Sequence, residues 1–116
     1  MFYDTYALYQ IARGDPNYKQ YARASIKTTL LNLYELYYTL LKEKHTELAR
    51  ELFQRLLNSC IEIQPEDITT AAEIRLGKKQ LSYIDALGYA ISQRRKLQFL
   101  TGDQEFKTME GVKFVK

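Results

Sequence analysis

The sequence predicts an α/β sandwich built on a mainly parallel sheet. Three observations carry this reading. Short apolar or β-branched runs alternate with segments of helical period, cap and turn residues mark the boundaries, and no linker, repeat or low-complexity stretch interrupts the 116 residues. That length suits a single domain spanning 1–116.

Residues 1–3 form a short apolar run that reads as a buried strand, and Asp4 follows at its carboxyl end. Over 5–13, Ala7, Leu8, Ile11 and Ala12 recur at helical spacing until Gly14 stops the run. Asp15 and Pro16 then open a second helix, as N-cap and first helical residue. Residues 25–29 are rich in β-branched side chains and give a second strand. The segment 30–44 is helical and apolar on almost every face, which predicts a buried helix. Residues 45–58 are amphipathic, with Leu48, Leu52, Phe53, Leu56 and Leu57 on one stripe that would cover the sheet from outside.

Residues 61–64 give a third strand. Pro65, Glu66 and Asp67 start a helix that passes through Ala71, Ala72, Ile74 and Leu76 to Gly77, and the helix dipole accounts for its two acids. Ser82 begins another, through Ile84, Leu87, Ala90 and Ile91 to Arg94, Arg95 and Lys96, cations that suit a helix C-terminus. A fourth strand at 97–101, a short helix at 103–109 and a last strand at 112–115 complete the chain.

Composition removes several function classes. A 46% apolar content builds an ordinary core, and with 27% charged residues no run is long and apolar enough for a membrane span or a secretory signal. A soluble, cytoplasmic protein is expected. The single cysteine, Cys60, forms no internal disulfide and no zinc-binding thiolate cluster, so a buried structural thiol is expected. The single histidine, His45, lies in a polar run that reads as a solvated helix junction, leaving mechanisms with an imidazole base without a candidate. A net charge of +3 is compatible with a polyanionic substrate. Tyr34, Tyr37 and Tyr38 carry rings able to stack on bases, but their helical spacing assigns them to core or rim packing.

Phosphate-cradling motifs need glycines where backbone approaches an anion. Gly77-Lys78 resembles the end of such a loop, yet Ala72 stands where the earlier glycine belongs and Lys79 replaces the hydroxyl residue. Nucleotide cofactors are therefore not expected. The chemistry left open is that of a set of acids in apolar settings. Glu35 lies within Leu33-Tyr34-Glu35-Leu36-Tyr37, with no basic residue one helical turn away. Asp85 has the spacing of a capping box with Ser82, and Asp4 and Asp103 each suit an N-cap, so taken singly each has a structural explanation.

Together they point elsewhere, because ligands of open α/β sheets bind beyond the strand carboxyl ends, where Asp4 and Asp103 fall. Four carboxylates about 6 Å apart repel by about 3 kcal/mol per pair at an effective dielectric of 20, on the order of 15 kcal/mol in all. Mg2+ or Mn2+, hard cations that prefer oxygen ligands, would reverse the sign of that energy.

At this point the chain resembles the PIN domain, in particular the toxin ribonucleases of VapBC-type toxin-antitoxin systems. Asp4-Thr5 with Ala7-Leu8 is similar to the family's opening acid motif, and Leu33-Tyr34-Glu35-Leu36 to its helical glutamate. Ser82-Tyr83-Ile84-Asp85-Ala86 resembles its third acid, Leu100-Thr101-Gly102-Asp103 its last, and 111–115 its closing strand. The acids are separated by 31, 50 and 18 positions. The resemblance implies a three-layer α/β/α sandwich with roughly five strands, and hydrolysis of RNA phosphodiester bonds supported by Mg2+ or Mn2+. It implies Asp4, Glu35, Asp85 and Asp103 as catalytic metal-holding acids, with Thr5 and Thr101 in support, and offers Glu105 as a further metal acid, where a solvated helix residue is an equal reading. It also implies a cognate antitoxin protein as partner and a homodimer. RNA phosphates could meet Lys19, Arg23, Lys27, Arg94, Arg95 or Lys96, although a solvated surface charge is the default reading of each.

Two other readings compete. A catalytically inactive PIN-like module would use the same fold to bind RNA or protein. A phosphoacceptor domain of the receiver class would want paired acids after the first strand and an aspartate after a central one, whereas Asp4 stands alone and 61–64 ends without one.

Overall fold

Phe2 and Tyr3 point to opposite faces of one strand, and that alternation divides the protein into two cores. The computed structural model describes residues 1–116. Strand β1 (Phe2–Tyr3) pairs in parallel with β2 (Phe99–Thr101), Phe2 opposite Phe99 and Tyr3 opposite Leu100, and β2 pairs in parallel with β3 (Val112–Phe114). The Phe2 and Phe99 rings stack 5.5 Å apart. They face α4 (Pro65–Gly77) and α5 (Tyr83–Arg94), where Ala71, Ala90 and Ile91 complete one core. Tyr3 and Leu100 face α1 (Thr5–Ala12), α2 (Leu30–Lys42) and α3 (Thr46–Leu56), with Leu8, Leu33, Leu40 and Leu52 in the second core. Helices therefore cover both sides of a parallel sheet, as the alternation of elements predicts.

The sheet is narrower than the five strands expected. The runs 25–29 and 61–64 contribute only single parallel bridges, Lys27 with Phe2 and Thr28 with Cys60. Tyr3 N–H donates to Lys27 O at 2.8 Å, and Ile61 N–H to Thr28 O at 2.8 Å. Helix starts cut both runs short: Thr29 already caps α2, and Asp67 accepts the Gln64 N–H ahead of α4. Five segments lie side by side, and three of them are strands.

Two expected helices are short 3₁₀ segments, Pro16–Tyr21 and Gln104–Phe106, because capped stretches this brief cannot propagate an α-helix. Gly14, at φ +76°, closes α1 as expected. Helix α2 departs further from its predicted burial. It buries Asn32, Leu33, Leu36 and Leu40 but leaves Leu30, Tyr34 and Tyr38 more than half exposed, because no element of the chain covers that flank.

Cys60 is half-buried, burial pushes its thiol up, and Sγ donates to Leu56 O at 3.6 Å. His45 is exposed at the start of α3. No helix is long and apolar enough to cross a membrane.

Candidate active site

Three helix or turn starts meet one helical glutamate at the carboxyl end of the sheet. Strand β1 delivers Asp4 to the start of α1, where Oδ1 accepts the Ala7 N–H at 2.9 Å. Asp4 Oδ2 accepts the Thr101 hydroxyl at 2.5 Å, and Thr101 Oγ1 in turn accepts the Asp103 N–H at 3.0 Å. One hydroxyl at the end of β2 thus ties two acids that are 99 positions apart in the chain. Asp103 Oδ1 accepts the Glu105 N–H at 3.0 Å. Asp85 Oδ2 accepts the Ser82 N–H at 3.1 Å, and Ser82 Oγ accepts the Asp85 N–H at 3.0 Å, a complete capping box. Glu35, on α2, accepts the Thr5 hydroxyl at Oε1 at 2.6 Å.

Capping and pocket formation are therefore one arrangement. Each capping bond occupies one carboxylate oxygen and fixes the side chain. Asp85 Oδ1, Asp103 Oδ2 and Glu35 Oε2 remain without a hydrogen-bond partner in the protein. Gly102 is required between Thr101 and Asp103, since a Cβ there would lie 2.2 Å from a Tyr6 ring carbon and 2.5 Å from Val115 O.

The acids act on one another. Asp4 is 3% exposed. Burial above all, with the charges of Asp85 and Asp103 adding to it, outweighs the bonds from Thr101 and Ala7 and leaves its carboxyl raised to about 7. Burial also raises Asp85 against its Ser82 bonds, with Asp103 adding to the rise. Glu35 is raised by burial against its Thr5 bond, with Asp85 adding. No cation of the chain neutralises this group, for the ion pairs join Arg94 to Asp67 and Arg50 to Glu47.

A buried carboxylate without a cationic partner, as Asp4 is, needs a proton or a bound cation, and the half-buried Glu35, Asp85 and Asp103 beside it would share that cation's field. The donor set is hard oxygen throughout, which fits Mg2+ or Mn2+. No three of the acids form a complete ligand set by themselves. Such a site suits an ion that keeps several waters and takes only one or two carboxylates directly, the usual habit of Mg2+.

Of the residues singled out in the sequence, Asp4, Glu35, Asp85, Asp103, Thr5 and Thr101 come together here. Glu105 is exposed and takes part only through its backbone N–H. Arg94 is not available to phosphates, because it binds Asp67 at 2.7 and 2.9 Å. Arg95 and Lys96 come after it at the far end of α5, roughly 15 Å of helix from Asp85. Lys19 and Arg23 are exposed and Lys27 is half-buried. Sequence reasoning missed Asn32, a buried amide that donates to Thr5 Oγ1 at 3.0 Å. Its signal was present: one amide among the leucines that open α2, three residues after the helix cap.

Comparison with known proteins bears on the fold and the family. A profile of the PIN domain matches residues 1–112. No curated protein matches the chain in sequence. Among solved structures, a toxin-antitoxin complex from Klebsiella pneumoniae is similar with a TM-score of 0.79 at 22% identity, covering 97% of this chain and 94% of that one. VapC20 of Mycobacterium tuberculosis, a toxin that cleaves the sarcin-ricin loop, gives 0.79 at 19% identity over 99% and 98%. VapBC2 from Rickettsia felis, bound to a DNA fragment from its promoter, gives 0.70 at 19% identity over 98% and 97%. Identities this low speak for the fold alone. The profile speaks for descent, and since it spans all but the last four residues, the chain belongs to the PIN domain family.

Proposed function

We propose that this chain is a Mg2+- or Mn2+-dependent endoribonuclease that hydrolyses RNA phosphodiester bonds, and that it is the toxin of a cytoplasmic toxin-antitoxin pair. One observation carries the reading: Asp4, Glu35 and Asp85, oriented by hydroxyl and backbone donors, have their proton affinity raised by burial and by neighbouring acids, Asp103 among them, with no cation from the chain to pair them. Membership of the PIN domain family supports nuclease chemistry. The similar structures, two toxin-antitoxin assemblies and one toxin that cleaves the sarcin-ricin loop, support RNA as substrate and an antitoxin protein as partner.

In this reading Asp4, Glu35, Asp85 and Asp103 hold the cation directly or through its waters. When bound, Mg2+ or Mn2+ supplies Lewis acidity toward the phosphodiester and its leaving oxygen. The chain supplies orientation. Thr101 fixes Asp4 and the start of the Asp103 turn, Ser82 fixes Asp85, and Thr5 fixes Glu35. Glu105, exposed beside Asp103, stays outside the set. The apolar flank of the protein further supports a homodimer.

The lack of a ready-made three-acid ligand set is also a property that an inactive RNA- or protein-binding module would carry. Incubation with structured RNAs, in Mn2+ or in EDTA, separates the two. Cleavage in Mn2+, its loss in EDTA and a fall of roughly 100-fold or more in Asp4→Asn are expected for the nuclease. No cleavage in Mn2+, or an Asp4→Asn variant as fast as the wild type, would overturn the proposal in favour of the binding module.

A further inference from the structure

Asn32 is 2% exposed and lies one turn before Glu35 on α2. A buried amide needs partners for its oxygen and its nitrogen, and here they form a directed chain. Thr29 Oγ1 accepts the Asn32 N–H at 3.2 Å and donates to Asn32 Oδ1 at 2.6 Å. Asn32 Nδ2 donates to Thr5 Oγ1 at 3.0 Å, and Thr5 Oγ1 donates to Glu35 Oε1 at 2.6 Å.

The direction comes from counting protons. A hydroxyl has one to give, and an ionised carboxylate has none. The Thr5 proton therefore goes to Glu35, so Thr5 Oγ1 accepts from Asn32. That turns Nδ2 toward Thr5 and Oδ1 toward Thr29, whose own proton is free because the α2 cap uses Thr29 only as an acceptor. With the amide reversed, Oδ1 would take the Thr5 proton and Glu35 would lose its one hydrogen-bond donor in the protein.

We infer that Asn32 is a positioning residue: acting through Thr5, it holds Glu35 with Oε1 engaged and Oε2 open to the acid pocket. Thr29, the residue that starts α2, sets the direction of the amide. The consequence for cation binding rests on the nuclease reading, while the orientation of Glu35 belongs to the metal-free fold.

The test compares wild type, Asn32→Leu, Thr5→Val, Thr5→Ser and the Asn32→Leu/Thr5→Val double variant. Crystal structures without metal read the orientation, calorimetry with Mn2+ reads affinity, and cleavage of a structured RNA reads kcat and KM. In Asn32→Leu and Thr5→Val, Glu35 should leave its single position, and the Mn2+ dissociation constant should rise about tenfold. The double variant should be no weaker than Thr5→Val, because Asn32 acts through Thr5. Thr5→Ser should recover affinity relative to Thr5→Val, and the catalytic loss should fall on kcat rather than KM. Glu35 unmoved in Asn32→Leu, or additive losses in the double variant, would overturn the inference. A wild type that binds no Mn2+ while Asn32→Leu still displaces Glu35 would sink the nuclease reading and leave the positioning role standing.

Discussion

Asp4 is pulled two ways. The hydrogen bonds from Ala7 and Thr101 favour its ionised form, whereas burial and the charges of Asp85 and Asp103 favour the neutral one, and burial wins, pushing the carboxyl up to about 7. In the unfolded chain an aspartate titrates near 3.9. The folded state thus binds this proton more tightly, and the stability it contributes is full below about pH 4 and lost as pH rises through 7. A shift of about three units corresponds to roughly 4 kcal/mol. Asp85 and Glu35 are raised in the same sense, while Asp67, held low by Arg94, works in the opposite sense only at more acid pH. The metal-free protein should therefore melt at lower temperature at pH 8 than at pH 5, and Asp4→Asn should flatten the profile. Mn2+ should raise the melting temperature more at pH 8, where the acids are charged. Thermal melts across this range check it, and a wild-type profile as flat as that of Asp4→Asn would show that the buried charge does not govern stability. The acids themselves were legible from residue type, apolar setting and order. Their capping bonds were legible too, but not that capping and pocket formation would coincide. Asn32 was hidden because its partner Thr5 is 27 positions away and only the fold joins them.

Between elements, one ion pair joins two helices. Helices α4 and α5 pack side by side, and Arg94 from the last turn of α5 meets Asp67 from the first turn of α4. Asp67 is 1% exposed, and the same carboxylate accepts the Gln64 N–H at 2.8 Å. Removing the guanidinium strands a buried charge, so Arg94→Ala should lower the melting temperature by several degrees. The same substitution in an Asp67→Asn background should cost less, because an amide keeps an oxygen for the Gln64 N–H without leaving a charge behind. Equal losses in both backgrounds, measured by thermal melts, would show the pair to be a bystander. Helix starts were the most legible elements: Asp4, Asp15, Ser82 and Asp103 each cap a helix or 3₁₀ turn. Strand lengths were not, since Thr28 and Thr29 carry strand propensity in their side chains while the cap of α2 claims the backbone. Arg94 looked like a free cation at a helix end because its partner lies 27 positions upstream in another helix.

At the scale of the whole molecule, the apolar surface is larger than one chain requires. Along α2, Leu30 is 54%, Tyr34 66% and Tyr38 58% exposed, and beyond it Ile68 and Leu76 on α4 and Tyr83 on α5 are 53%, 78% and 78% exposed. A cleft lined by Leu31, Ala72, Leu76, Ile84 and Leu87 runs between these helices. Exposed apolar side chains of this kind are what the proposed homodimer would cover, since a surface that serves both copies at once is the usual route to a symmetric pair. The pattern of the sequence suggested the opposite, because a helix apolar on most faces reads as buried within its own chain; in the proposed homodimer, burial against a second copy would meet the same requirement. Leu76 is the sharpest probe, for at 78% exposure it contributes little to the fold of one chain. Leu76→Glu should convert a dimer into a monomer in light scattering while the secondary structure in circular dichroism stays that of the wild type. Tyr83 and Ile84 line this cleft from the first turn of α5, the turn that also carries Asp85, and if dimerisation steadies that turn the monomeric variant should also cleave RNA more slowly at low protein concentration. A wild type that scatters as a monomer at tens of micromolar would remove the second copy, and the exposed tyrosines and leucines would then need another occupant.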